Sequence, residues 1–306
     1  MSSIVVVGSL AFDSIETPFG KAGKVLGGSA NYFSLAASYF APVRCISVVG
    51  EDYPREQLDL FRQRQIDTSG IKLEKGNTFH WEGRYGYDLN TAHTLATRLN
   101  VFENFAPEVP ESYRDSEFVF LGNILPALQG QVLSQIRHPK FVAIDTMNFW
   151  IEGQKQALIE VIKRCNCLII NEAEVRQLTE SYNIVQAAKV VRSWGPKILV
   201  VKRGEYGAIL FDGDEMFGMP GLPLAEVKDP TGAGDTFAGG FMGYLASLGT
   251  KFASSRYQLR KALVYGCTMA SFTVQDFGFK ELIGLNREKI DQRYHRFVDL
   301  TTFHLD

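Results

Sequence analysis

The chain contains no Gly-x-x-x-x-Gly-Lys-Ser/Thr loop, no Gly-x-Ser-x-Gly elbow and no His-Glu-x-x-His helix. The stretch after its first apolar run, Gly8-Ser-Leu-Ala-Phe-Asp13, is not a Gly-x-Gly-x-x-Gly fingerprint either. These absences set aside the common P-loop, hydrolase, zincin and dinucleotide-binding sites. Cysteine is scarce. Cys45, Cys165, Cys167 and Cys267 do not have tetrahedral zinc spacing, and Cys165 and Cys167 precede the apolar run Leu168–Ile170 as buried thiols would. The histidines His80, His93, His138, His295 and His304 are scattered, and surface or packing roles suit each of them. An excess of one charge is missing as well: 32 Lys and Arg against 34 Asp and Glu leave a formal charge of −2. That balance offers no basic footprint for nucleic acid or an anionic membrane, although a pocket can still be locally positive. No run approaches the roughly 18 uninterrupted apolar residues of a membrane helix. The opening MSSIVVVGSLAFDS lacks the basic start and long apolar run of a signal peptide. The expectation is a cytoplasmic protein in a reducing compartment.

Hydrophobic residues make up 45% of 306, enough for a large core. Short runs rich in β-branched residues, Ile4–Val7, Val43–Val49, Phe118–Leu121, Phe141–Ile144, Leu168–Ile170 and Ile198–Val201, read as buried strands. Between them, Ser29–Tyr39, Glu56–Arg64, Gln129–Arg137, Gln154–Arg164 and Glu172–Glu180 have helical spacing. This alternation predicts an α/β fold, a three-layer α/β/α Rossmann-like arrangement around a mainly parallel sheet, with residues 1–306 as one domain. The final third holds a Gly-rich turn and helices over Phe237–Leu248, Arg256–Val274 and near Arg287–Phe297. One region breaks the rhythm. Phe79, Trp81, Tyr85, Tyr87 and Leu89 fall on one side at period two, and Leu95, Thr97, Leu99 and Val101 alternate after a polar turn near Asn90 and Thr91. That pattern predicts an antiparallel hairpin with one apolar face, and with Phe12–Lys24 a small β-lid from about 12–25 and 76–103.

The densest chemical signal is Asp229-Pro-Thr-Gly-Ala-Gly-Asp235. Gly232 and Gly234 permit a tight turn whose successive N–H groups point one way, and helix propensity resumes behind it, so the amides can hold an anion. A charged Asp235 beside that anion is awkward unless a cation or a transferable proton lies between them, and a phosphoryl-transfer site supplies both. Taken locally, the same residues also suit a Gly-rich turn with an N-capping Asp.

The stretch resembles the C-terminal signature of the ribokinase (PfkB) family, Asp-Thr-x-Gly-Ala-Gly-Asp, departing at Pro230. Gly27-Gly28-Ser-Ala-Asn31 resembles the family's N-terminal Gly-Gly-x-x-Asn, Asn171-Glu-Ala-Glu174 its Asn-x-x-Glu, and Lys202-Arg-Gly204-Glu-Tyr-Gly207 its Thr-x-Gly-x-x-Gly loop, with Lys202 in place of Thr. The resemblance implies an ATP-dependent kinase acting on a hydroxyl of a small polyhydroxylated substrate, a sugar or polyol first and a nucleoside second. It implies Asp235 as catalytic base and Gly232, Ala233 and Gly234 as the anion hole. Asp13, Gly27, Gly28 and Asn31 would hold substrate. Asn171, Glu174, Lys202, Gly204 and Gly207 would face ATP, Glu174 would organise Mg2+, and Asp229 with Thr231 would suit a monovalent cation such as K+. The helix ending at Val274 and the following Gln275–Gly278 would wall the adenine. A homodimer through the lid is a further expectation. A non-catalytic ligand-binding relative is the competing class.

Overall fold

The computed structural model describes residues 2–302. Thirteen strands run in the order β1 (Ile4–Val7), β2 (Ala11–Thr17), β3 (Gly20–Gly27), β4 (Val43–Gly50), β5 (Ile66–Glu74), β6 (Phe79–Tyr85), β7 (Ala92–Arg98), β8 (Phe118–Leu121), β9 (Phe141–Ile144), β10 (Cys167–Asn171), β11 (Ile198–Lys202), β12 (Ala208–Asp212) and β13 (Glu215–Met219). Nine of them form one sheet, ordered β13-β12-β11-β10-β9-β8-β1-β4-β5. Pairing is parallel from β5 to β11, and only the β11-β12-β13 edge is antiparallel.

The central strands are buried on both faces, which is why they read as unbroken apolar runs. In β1, Ile4 and Val6 join a core with Phe33, Phe120, Phe241 and Leu263, while Val5 and Val7 join another with Ile144, Leu158, Val175 and Val191. The helices Ser29–Ala37, Ala233–Ser247 and Arg256–Thr273 cover the first face, and Pro126–Gln135, Lys155–Ile162, Glu172–Thr179 and Ile184–Trp194 cover the second. The fold class is thus α/β with three layers. Among the described residues, no helix is long and apolar enough to cross a membrane. All four cysteines are buried and free.

Several elements escaped the sequence reading. Strand β5 carries polar residues and Gly70 at a sheet edge, so its sequence, IDTSGIKLE, lacks an apolar run. Strands β12 and β13 fold back antiparallel through a turn at Gly213, and the Ile184–Trp194 helix was not singled out. The expected Gln129–Arg137 helix starts earlier, at Pro126, because proline suits the first helical position.

A second sheet, ordered β3-β2-β6-β7, stands apart from the first. Strand β2 pairs antiparallel with β3 and parallel with β6, and β6 pairs antiparallel with β7. The single apolar stripe expected across β6 and β7 does not form. Glu82 faces Ala96 and Gly83 faces Thr94, so Leu95 is an extra residue without a partner on β6. Such a bulge reverses the alternation beyond it. Leu95 and Leu99 are exposed, Tyr87 is 84% exposed beyond the end of β6, and Leu89 sits in a turn at φ 55°. Trp81 is retained on the sheet because Gly83 leaves room for its ring, and its indole donates to Thr94 Oγ1 at 3.1 Å.

Candidate active site

The motif-bearing turns converge at the carboxyl ends of the parallel strands, where open α/β sheets bind ligands. Gly232 caps the Ala233–Ser247 helix at φ 74°, and a Cβ there would stand 2.3 Å from the Tyr32 ring. Glycine is required twice over, by the left-handed backbone and by the close approach. Asp235 lies in the first turn of this helix, so its carboxylate and the turn amides share one end of it. Burial lifts its carboxyl to about 7, helped by the negative charges of Asp145 and Glu174 and opposed by Lys202.

Asp13 falls at the start of the stretch expected to form the lid. It sits on β2, opposite Val25 on one side and Trp81 on the other. Its carboxylate lies flat on Gly27, where a Cβ would fall 1.9 Å from Oδ2. Burial pushes it up to about 8, with the Asp229 and Asp235 charges adding and the Gly28 amide opposing. Gly28, at φ 95°, passes Ser9 O too closely for any side chain and caps the Ser29–Ala37 helix. Asn31 is wholly buried. Its Nδ2 donates to Gly27 O, and its Oδ1 accepts from Tyr53 Oη at 3.0 Å and Gln57 Nε2 at 3.4 Å. Asn31 therefore braces the Gly-Gly turn, and only its second Nδ2 hydrogen is left for a ligand.

On the other flank, Asn171 and Glu174 form a capping box: Asn171 Oδ1 accepts from Glu174 N at 2.8 Å and Glu174 Oε2 accepts from Asn171 N at 3.1 Å. Burial raises Glu174 to about 7, Lys202 opposing and Asp145 adding. The Lys202–Gly207 loop closes on itself through Arg203 N to Gly207 O, 2.8 Å. Gly204 at φ 56° and Gly207 at φ 87° shape it, and Asn90, in the turn between β6 and β7, approaches Gly204. Asp229 is buried. Its Oδ1 accepts from Thr231 N at 2.9 Å, while Oδ2 has no hydrogen-bond partner. The Thr231 hydroxyl donates to Tyr85 Oη at 3.1 Å, joining the small sheet to the glycine turn. Phe277 packs on Gly20, so the segment after Val274 meets the small sheet as well.

One residue of this cluster was missed. Asp145 follows β9 directly and accepts from Lys202 Nζ at 3.3 and 3.1 Å. The available signal was positional: Asp145 directly follows β9 as Asn171 ends β10, at the ligand edge of the sheet.

The sequence pattern of the pfkB family carbohydrate kinases matches residues 1–283. The chain belongs to this family. This PfkB kinase is 30% identical over 249 residues to a cytidine kinase of Thermococcus kodakarensis, covering 79% of this chain and 88% of that one. It superposes on the nucleoside kinase of Methanocaldococcus jannaschii with a TM-score of 0.75 at 21% identity, covering 97% and 99% of the two chains. A structure from E. coli described as a ribokinase II in complex with ATP and Mg2+ gives a TM-score of 0.77 at 19% identity over 97% and 100%. The PfkB kinase is a phosphotransferase with an alcohol group as acceptor.

Proposed function

We propose that this PfkB kinase transfers the γ-phosphoryl group of ATP to the primary hydroxyl of a nucleoside, with Asp235 as the base. The observation that carries the chemistry is the placement of Asp235 in the first helical turn behind the left-handed Gly232. The carboxylate accepts the hydroxyl proton while the amides of Gly232, Ala233 and Gly234 face the oxygens of the group in flight. Phosphoryl transfer has a loose transition state, so these groups act by positioning and by meeting spread charge. Asp13, pressed onto Gly27, receives paired substrate hydroxyls, and Gly28 and Asn31 hold that turn in shape. Asn171, Glu174, Gly204 and Gly207 line the nucleotide side. The buried Glu174 would hold the Mg2+ that accompanies ATP, and that ion would supply positive charge against the phosphate oxygens. The unpartnered Asp229 Oδ2 is the kind of acceptor that a monovalent cation such as K+ satisfies, beside Thr231.

A nucleoside stands ahead of the sugar or polyol first expected, because a relative 30% identical over 79% of this chain is a cytidine kinase and a second, matched over a shorter stretch, is a nucleoside kinase. A homodimer covering Leu95 on β7 and Leu99 just beyond its end belongs to the same reading, and sedimentation tests it. The deciding experiment is ADP release with ATP and Mg2+ across cytidine, other ribonucleosides, ribose, fructose and polyols. Turnover of a nucleoside well above free ribose is expected. Turnover of ribose, fructose or a polyol with no nucleoside active would overturn the substrate assignment.

A further inference from the structure

Lys202 ends β11 and reaches over the end of β10 to Asp145, which directly follows β9. Its ammonium meets both Asp145 oxygens, at 3.1 and 3.3 Å. It also lies 2.9 Å from where a Cβ on Gly234 would stand, so it occupies the space that glycine leaves open at the anion turn. The pair is largely sequestered, with side-chain exposure of 17% and 6%. A buried Lys–Asp pair is a poor stabiliser, since desolvation consumes most of the attraction. An ammonium has three donors, and Asp145 engages it from one side only. The amides of the Gly232–Gly234 turn, the Lys202 ammonium and the Asp235 carboxylate thus converge on one small volume. When Asp235 takes the acceptor proton, that volume is where the phosphoryl group must lie.

We propose that Lys202 contacts the transferring phosphoryl group directly, and that Asp145 is a positioning residue that aims the ammonium at Gly234. The proposal rests on the kinase reading above. In the step, the acceptor oxygen bonds to the γ-phosphorus and gives its proton to Asp235. The bond from that phosphorus to the β–γ bridging oxygen breaks, and ADP leaves with the electron pair. Lys202 keeps its proton throughout, and its charge meets the equatorial oxygens as they pass. The Lys in place of Thr at the head of the nucleotide loop is then a catalytic substitution.

The test compares wild type with Lys202→Met, Asp145→Asn and the double variant. Lys202→Met should lower kcat about 10²–10³-fold, the loss typical of one transition-state donor, with the acceptor KM changed only a few-fold. Asp145→Asn should lower kcat less and add little in the double variant, because it acts through Lys202. The acid limb of kcat/KM reads the charges that the pair sets beside Asp235. It should shift up in Lys202→Met, which removes a cation beside Asp235, and down in Asp145→Asn, which removes an anion. Lys202→Met should also weaken a non-hydrolysable ATP analogue more than ADP. The double variant leaves no unpaired buried charge, so it keeps the test open should a single variant unfold. A folded Lys202→Met with kcat within threefold of wild type overturns the proposal, as do equal losses for ADP and the ATP analogue. A wild-type protein that phosphorylates no acceptor defeats the kinase reading instead.

Discussion

Replacing Asp235 with Asn should make the ligand-free protein more stable while nearly abolishing turnover. Asp235 is lifted to about 7 by burial, with the Asp145 and Glu174 charges adding and Lys202 opposing. Its ordinary value is 3.8, so the folded chain holds this proton more tightly than the unfolded chain. The stabilisation from that proton is complete below the unfolded pKa and is lost as pH rises through about 7. Each pKa unit corresponds to about 1.4 kcal/mol, so wild type should lose on the order of 2–3 kcal/mol between pH 5 and pH 8 from this group. Asn keeps the size, does not ionise and is spared that loss. Thermal unfolding without nucleotide should therefore favour Asp235→Asn at pH 8 far more than at pH 5. Turnover should fall at least ~10²-fold at every pH, because the proton acceptor is gone. Wild-type kcat/KM should rise with pH through about 7 as Asp235 ionises. A folded variant with near-normal kcat would remove Asp235 as the base. A variant no more stabilised at pH 8 than at pH 5 would refute the electrostatic account of the site.

Asp13→Ala, assayed above pH 8 where Asp13 is ionised, should raise the acceptor KM by roughly 10–150-fold, the range for a lost hydrogen bond to a charged group of ~1.5–3 kcal/mol, with the ATP KM nearly unchanged. An unaltered acceptor KM would take Asp13 out of the substrate site. Gly232→Ala forces a side chain into the left-handed region and into the Tyr32 ring, so both kcat and thermal stability should drop. Gly213→Ala is the matched control: its φ is 60° but a Cβ there meets nothing within 4 Å, so only the backbone penalty of about 1–2 kcal/mol applies and kcat should hold. Equal effects at the two glycines would show that the Tyr32 contact is unimportant.

Local chemistry was legible in the sequence wherever a short stretch contains its own reason. The unbroken apolar runs of β1, β8, β9, β10 and β11 announce strands buried on both faces, and the glycines of Gly232-Ala-Gly234 announce a turn no other residue tolerates. The Asn171–Glu174 motif lies within four residues, and the capping box it forms closes inside that one stretch. The family resemblance rested on these same self-contained segments.

Contacts between distant segments were decided only by the tertiary structure. Lys202 finds Asp145 across 57 residues because β9, β10 and β11 lie side by side and end at one edge. Thr231 finds Tyr85 across 146 residues because β6 pairs parallel with β2 and carries the small sheet to the glycine turn. The buried partners of Asn31, the bulge at Leu95 and the edge strand β5 are of the same kind. The physical reason is that spacing encodes which face a residue presents along its own element. Which charge or ring meets it there depends on strand order and register, and these follow from the packing of the whole sheet.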